Sequence, residues 1–143
     1  MTLPPGTAAI VIAHGSRADA ANDAHRSVCD ALAARSGTTV VPAFLELAEP
    51  SLDDAVHRLA ERGTEHVVVL PFFLYPGRHI QRDIPALVDA ARSANPGVDI
   101  EIGPLFGADP GVVELLAAQL DAATTGASGS AARDPGPDAA EDR

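Results

Sequence analysis

Apolar and polar positions along this chain follow two different periods, one typical of strands and the other of helices. Four short runs are rich in β-branched apolar residues, and three of them are almost continuously hydrophobic, as in strands covered on both faces of a sheet. The runs cover residues 8–13, 38–45, 66–73 and 98–103. They predict the strands of a buried parallel sheet.

Between these runs, apolar residues recur every three or four positions, which is the spacing of amphipathic helices. The predicted helices cover residues 19–35, 51–62, 84–94 and 109–120. The apolar faces of the first three are Ala24, Val28, Ala31 and Leu32, then Leu52, Val56 and Leu59, then Ile84, Leu87, Val88 and Ala91. These faces are the predicted contacts between the helices and the sheet.

Particular residue types mark where the helices begin and end. Gly37 is placed to stop the first helix, and Ser51 with Asp54 forms a capping pair for the second. Pro85 fits best in a first helical turn, so the third helix is expected to begin near Asp83.

Strands and helices therefore alternate from β to α four times along the chain. This order predicts an α/β fold with a doubly wound, four-stranded parallel sheet in the order 2-1-3-4 and helices on both faces. We expect one domain over residues 1–121. Residues 122–143 form an acidic segment rich in Ala, Gly and Pro with almost no bulky apolar side chain, which predicts a disordered tail.

Composition narrows the classes of function. The 143 residues carry a net charge of −10 and only 3% aromatic residues, which argues against nucleic acid or anionic membranes as partners. We see no signal peptide, and no apolar run approaches the ~20 residues of a membrane span. The single Cys29 excludes an intrachain disulfide. A cytoplasmic location is the expectation.

Candidate ligands for a metal ion follow the first three strands. His14 follows the first strand, Glu46 the second and His79 the third. In the order 2-1-3-4 these strand ends are neighbours at the edge where open α/β sheets bind ligands. Two imidazoles and a carboxylate suit an exchangeable divalent first-row metal, and neutral imidazole can also act as a base.

Glycines and arginines surround these candidates. Gly15 and Gly77 allow backbone conformations that other residues adopt at a cost, and they leave room for a large ligand. The three nearby arginines are suited to holding carboxylates in bidentate contacts. They are Arg17, Arg78 and Arg82. The sequence therefore predicts a site for a polycarboxylate above a metal ion.

Simpler roles exist for several of these residues. A histidine after a strand is more often a hydrogen-bonded cap than a ligand. Glu49 is an alternative to Glu46 as the carboxylate ligand. The simpler role of Arg78 and Arg82 is to balance the charge of Asp83. Tyr75 either lines the pocket or fills a gap. Structural roles are expected for His25, His57, His66 and, as a small core residue, Cys29.

A hydrolase that uses His14 with Ser16 is a weaker alternative. The two residues are only two positions apart, and neither a G-x-S-x-G elbow nor a convincing acidic partner is present.

Three segments resemble the small sirohydrochlorin chelatases over about residues 8–121. They are AHGSR, FLELAEPSL and PFFLYPGRHIQRDIP, in the same order along the chain. The resemblance implies a class II chelatase fold and ATP-independent insertion of Co²⁺ or Fe²⁺ into sirohydrochlorin, a polycarboxylate tetrapyrrole of siroheme or cobalamin synthesis. Ni²⁺ also fits the donor set.

The resemblance further assigns residues and partners. It implies that His14 and His79, with Glu46, handle the metal, and that Arg17, Arg78 and Arg82 hold the substrate carboxylates. Ser16 and Gly77 are the other predicted binding residues. The metal is a substrate, and no permanently bound cofactor is expected. A chain of this length resembles the short form of the family, in which two subunits form a homodimer. A non-catalytic metal or tetrapyrrole carrier is the alternative.

Overall fold

All four predicted strands form, and nine segments of regular structure follow one another between residues 3 and 126. The strands are β1 (Thr7–Ala13), β2 (Thr39–Phe44), β3 (His66–Pro71) and β4 (Asp99–Ile102). The helices are α1 (Asp19–Ser36), α2 (Leu52–Glu61), α3 (Arg78–Ala94) and α4 (Gly111–Thr124), with a 3₁₀ turn at Phe106–Ala108. The computed structural model describes residues 3–126, apart from the side chain of His79.

The strands form one parallel sheet in the order β2-β1-β3-β4, which confirms the predicted order. Ala13 of β1 pairs with Phe44 of β2, and Ile12 of β1 pairs with Pro71 of β3. The carboxyl ends of these three strands therefore lie level with one another. Residues that follow them leave from a single edge of the sheet.

Helices cover both faces of the sheet, as predicted. Ile10 and Ile12 of β1 pack in a cluster with α2 and α3, whereas Val11 packs on the other face with Cys29 of α1. The alternation follows from the two-residue period of a strand. The predicted core face of α2 is confirmed, since Leu52, Val56 and Leu59 are buried.

The predicted helix ends at Gly37 and Ser51 are confirmed. Gly37 has a φ of 71° and donates its backbone N–H to the Ala33 carbonyl, which is the geometry of a glycine C-cap. The Ser51 hydroxyl accepts the N–H of Asp54 at 3.2 Å and caps α2.

The predicted core face of α1 is wrong except at Leu32, which is partly buried and packs against the cluster of Val11 and Cys29. Its buried residues are Asn22, His25 and Cys29, whereas Ala24 is exposed and Val28 is 44% exposed. Polar residues occupy the buried face because they bond to the backbone beneath them. Apolar spacing alone therefore indicated the wrong side of this helix, although the core role of Cys29 is confirmed.

The predicted start of α3 is also wrong, because the helix begins at Arg78 and not near Asp83. Pro85 lies inside it, where it lacks the N–H of a regular helical residue. Ile80 packs against the core cluster and continues the apolar face that Ile84 and Val88 form further along. Packing of this longer face offsets the missing hydrogen bond.

Contacts within the chain define two units, residues 1–109 and residues 110–143. In the second unit, α4 continues to Thr124, so residues 122–124 of the predicted tail are helical. Several of its large apolar side chains are exposed, namely Val113, Leu115, Leu116 and Leu120. Residues 127–143 of the predicted tail lie outside the described part, and a single domain over 1–121 stays a prediction.

Among residues 3–126, no helix combines the length and the hydrophobicity needed to cross a membrane.

Candidate functional site

The ends of β1 and β2 stay joined beyond the sheet and bring His14 opposite Glu46. Leu45 donates its N–H to the Ala13 carbonyl at 2.9 Å, and Glu46 donates to the His14 carbonyl at 3.1 Å. These bonds continue the pairing of the two strands by two residues. The side chains that follow the strands are thereby held side by side.

Gly15 is required for this close approach. Its φ is 97°, and a Cβ at this position would lie 1.8 Å from the carbonyl oxygen of Glu46. Leu47, directly after Glu46, also has a positive φ of 68°, which is a strained conformation for a residue with a side chain. The backbone around the histidine and the carboxylate is therefore tightly constrained.

Hydrogen bonding fixes which nitrogen of His14 is available. Nδ1 lies 3.1 Å from the carbonyl oxygen of Gly15, which can only accept, so this contact assigns a proton to Nδ1. In the neutral ring Nε2 is then the acceptor nitrogen, and it lies 3.4 Å from Oε2 of Glu46. A carbonyl partner on the second nitrogen is typical of metal-ligating histidines. Two electron-rich atoms so placed can share a metal ion or a proton.

Two other histidine–carboxylate pairs show that the distance alone does not define a site. His57 Nε2 lies 3.3 Å from Glu61 on the exposed surface of α2. His66 Nδ1 lies 3.4 Å from Asp99, where β3 and β4 begin, at the opposite end of the sheet. Neither is among the described residues that line the cavity beside His14. Of these three described pairs, His14–Glu46 lines that cavity, whereas His66 and Asp99 line a second, more open one of about 490 Å³.

That cavity is open and has a volume of about 640 Å³. His14, Leu45 and Glu46 form one side of it, at the ends of β1 and β2. The loop after β3 contributes Phe73 and Tyr75. The size is within the usual range for small-molecule sites.

The remaining wall is one face of α3, and it carries a carboxylate that the sequence analysis did not assign to the site. Ile80, Asp83 and Leu87 line the cavity. They are three and four residues apart and so share one side of a helix. Because the helix was predicted to begin near Asp83, this face could not be recognised. A helix start at Arg78 would have revealed it.

The loop that carries Tyr75 is held from both sides. Gly107 donates its N–H to the Phe73 carbonyl at 2.9 Å, and a Cβ on Gly107 would clash with the Leu74 carbonyl. Gly77 donates to the Tyr75 carbonyl at 3.0 Å. Tyr75 is nevertheless 78% exposed, so it lines the cavity and does not fill a gap.

Gly77 does not need the backbone freedom that the sequence analysis assigned to it. Its φ of −68° and ψ of 164° are accessible to any residue, which corrects that interpretation. It does line the cavity, and a Cβ there would meet no atom within 4 Å. The open space beside it therefore agrees with the predicted room for a ligand.

His79 is the second residue of α3, and its side chain lies outside the part that the structure describes. The predicted convergence of three donors therefore stays a prediction at this position. Within the described residues, no group of three or more His, Cys, Asp or Glu side chains is placed to hold a metal ion. His14 and Glu46 form a two-residue arrangement.

The three predicted arginines are exposed, and none is among the described residues that line the cavity. They are Arg17, Arg78 and Arg82. Glu49, the predicted competitor of Glu46, is exposed and also absent from that lining.

Ser16 has a structural role that the sequence analysis did not anticipate. Its hydroxyl accepts the N–H of Ala18 at 3.0 Å. Asn22 accepts the Ser16 N–H at 3.0 Å and donates its amide to the Ser16 carbonyl at 2.8 Å. Asn22 is 5% exposed and therefore acts as a buried clamp on the segment after His14. The engagement of the Ser16 hydroxyl gives no support to a hydrolase.

Known proteins resemble this chain in sequence and in structure. The family model described as CbiX matches residues 8–123. The sirohydrochlorin ferrochelatase of Arabidopsis thaliana chloroplasts is 44% identical over 85 residues, which is 58% of this chain and 38% of that protein. The matched part is thus well under half of that relative's length.

Two crystal structures are similar to this fold. A cobalamin (vitamin B12) biosynthesis CbiX protein from Marinobacter aquaeolei has a TM-score of 0.75 and 28% identity, over 83% of this chain and 98% of that chain. The sirohydrochlorin chelatase SirB from Bacillus subtilis in complex with cobalt has a TM-score of 0.73 and 27% identity, over 80% and 50% respectively. Since the family model covers most of its residues, this chain belongs to the CbiX family.

Proposed function

We propose that this protein inserts Co²⁺ or Fe²⁺ into sirohydrochlorin without ATP. The observation that carries the proposal is that His14 Nε2 lies 3.4 Å from Oε2 of Glu46 at the edge of an open cavity. Membership of the CbiX family supplies the substrate class, because its relatives include named sirohydrochlorin ferrochelatases and a cobalt-bound chelatase. Ni²⁺ fits the same ligands and is included in the test.

In the proposed reaction, His14 receives the incoming metal ion and Glu46 balances its charge. Two donors leave most coordination positions open, so the ion can pass to the pyrrole nitrogens of the substrate. The same imidazole and carboxylate accept the protons that those nitrogens release. Neutral imidazole is needed for both steps, so insertion is expected to weaken in acid.

The walls of the cavity hold the macrocycle in this proposal. Phe73, Ile80 and Leu87 present apolar surface, and the exposed ring of Tyr75 can stack on a flat aromatic ligand. Asp83 adds a second carboxylate on the α3 side, which raises the local attraction for a cation.

Further residues complete the proposed site. His79, at the first turn of α3, is the proposed second imidazole ligand. Arg17, Arg78 and Arg82 are proposed to bind peripheral carboxylates, which extend beyond the cavity and so do not require arginines in its wall. The open space at Gly77 is proposed to accommodate the ring edge, and Ser16 is proposed to contact the substrate from the segment after His14.

We also propose that two copies associate as a homodimer in the cytoplasm, without nucleic acid or membrane as partners. The net charge of −10 supports the absence of nucleic-acid and membrane partners, and the single buried Cys29 suits a reducing compartment. Sedimentation velocity at micromolar concentration tests the dimer. A monomer at all concentrations contradicts it.

The test of the function is anaerobic incubation with sirohydrochlorin and each of Co²⁺, Fe²⁺ and Ni²⁺, followed by absorbance spectroscopy. A chelatase produces many equivalents of metallated product per protein chain with Co²⁺ or Fe²⁺. At most one equivalent of product above the reaction without protein would reject the chelatase and favour a carrier.

A further inference from the structure

His25 occupies an unusual place beneath the candidate site. It lies on the buried face of α1, is 6% exposed, and contacts each of the three strands whose ends form the cavity edge. Its ring lies between α1 and the sheet and is absent from the described cavity lining. It therefore influences the site only through the residues that it touches.

Its first contact is a hydrogen bond to the central strand. Nε2 lies 2.9 Å from the carbonyl oxygen of Val11, so Nε2 carries the proton and donates it. Val11 is three residues before His14 on β1. The bond thus anchors α1 to β1 close to the end of the strand that leads into His14.

Its second and third contacts are with aromatic rings on the neighbouring strands. The ring centroid of Phe44, the last residue of β2, lies 5.3 Å away in an edge-on arrangement. Phe72, directly after β3, lies 5.8 Å away and is nearly parallel, at an interplanar angle of 23°. Phe44 precedes the segment that carries Glu46, and Phe72 precedes the loop of Tyr75.

One atom of His25 is left without a partner. Nδ1 is buried and has no hydrogen-bond partner among residues 3–126. Because the proton is on Nε2, Nδ1 is an acceptor. It has lost its contact with water on folding, which lowers the stability of the protein. A purely apolar ring would avoid this cost but could not donate to Val11. The donor function therefore distinguishes His25 from an ordinary core side chain.

We propose that His25 is the positioning residue of the site: it fixes the ends of β1, β2 and β3 relative to one another and so sets the separation of His14, Glu46 and the Tyr75 loop. Three backbone bonds report this alignment directly. Leu45 N–H donates to Ala13 at 2.9 Å, Glu46 to His14 at 3.1 Å and Phe72 to Ile12 at 2.9 Å.

Amide hydrogen exchange tests the alignment without reference to activity. In His25→Ala, the amides of Leu45, Glu46 and Phe72 are expected to exchange at least about tenfold faster, beyond any change at the core amide of Val69. His25→Phe keeps a ring but not the donor, and it is expected to give a smaller increase at the same amides. This variant decides the matter if His25→Ala does not fold.

Leu59→Ala is the matched control, since Leu59 is equally buried but lies on α2 across the sheet. It is expected to lower global stability without a selective change at the three amides. If the His25 variants show the same uniform pattern as Leu59→Ala, His25 is an ordinary core residue and the inference is overturned.

The effect on catalysis rests on the proposed function. His25→Ala is expected to lower kcat for metal insertion about 10- to 100-fold, because misplaced groups react slowly, and to raise KM for sirohydrochlorin, because the Tyr75 loop that contacts the macrocycle is displaced as well. Unchanged kcat together with faster amide exchange would overturn the link to catalysis. If wild-type protein inserts no metal, the proposed function fails, and the exchange experiment still decides the positioning role.

Discussion

At the scale of single residues, Gly15 controls how closely the ends of β1 and β2 approach. Gly15→Ala is expected to lower the free energy of unfolding by at least about 2 kcal/mol, since it adds both an unfavourable φ and a clash with the Glu46 carbonyl. Metal insertion is expected to be lost in the protein that still folds. Chemical denaturation and an insertion assay measure the two effects.

Gly37 provides the matched control for that substitution. It also has a positive φ, of 71°, but a Cβ there meets nothing within 4 Å. Gly37→Ala is therefore expected to cost only about 1 kcal/mol and to leave insertion unchanged. Equal effects of the two substitutions on stability and activity would refute the role assigned to the close approach at Gly15.

Cys29 gives a pH-dependent prediction at the same scale. Burial, and secondly the negative charge of Asp30, raise the pKa of its thiol from 9.0 to about 11. Because the folded-state pKa is the higher one, this stabilising contribution is complete below about pH 9 and is lost as the pH rises toward 11.

We expect the free energy of unfolding to decline over that range by up to roughly 1.4 kcal/mol per pH unit, and less in Cys29→Ala. Urea titrations of both proteins from pH 8 to 11 measure the difference. Identical slopes would contradict the assigned burial of the thiol.

At the scale of elements, Pro85 lies inside α3, whereas the sequence pattern placed it in the first turn of that helix. Pro85 cannot donate a backbone hydrogen bond within the helix. Pro85→Ala is expected to raise the free energy of unfolding by about 1–3 kcal/mol. Thermal and urea denaturation measure this, and an equal or lower stability would show that α3 is not regular at this position.

The sequence allowed the strands and their order to be predicted, because continuous apolar runs and alternation with helices leave few arrangements of a parallel sheet. The proximity of His14 and Glu46 follows from that order. The core face of α1 was missed because its buried residues include the polar Asn22 and His25, whose burial depends on backbone partners outside the helix. The place of Asp83 in the cavity wall was missed because α3 was predicted to begin near Asp83 and not at Arg78.

At the scale of the whole molecule, charge acts in opposite directions on the two proposed substrates. The net charge of −10 attracts a divalent cation and repels a polycarboxylate beyond the reach of local arginines. As ionic strength rises from about 0.01 to 0.1 M, the association of Co²⁺ is expected to slow and that of sirohydrochlorin to accelerate. Stopped-flow measurements test both signs, and a slower association of sirohydrochlorin would contradict the prediction.

The central claim is that His14 and Glu46 transfer the metal, and steady-state insertion of Co²⁺ into sirohydrochlorin by single variants tests it most directly. The matched control is His57→Ala, which removes an equally exposed histidine from a similar pair on α2. His14→Ala and Glu46→Gln are each expected to fold normally and to lose at least about 100-fold in rate. His57→Ala is expected to retain the wild-type rate. Wild-type turnover by folded His14→Ala would contradict the claim.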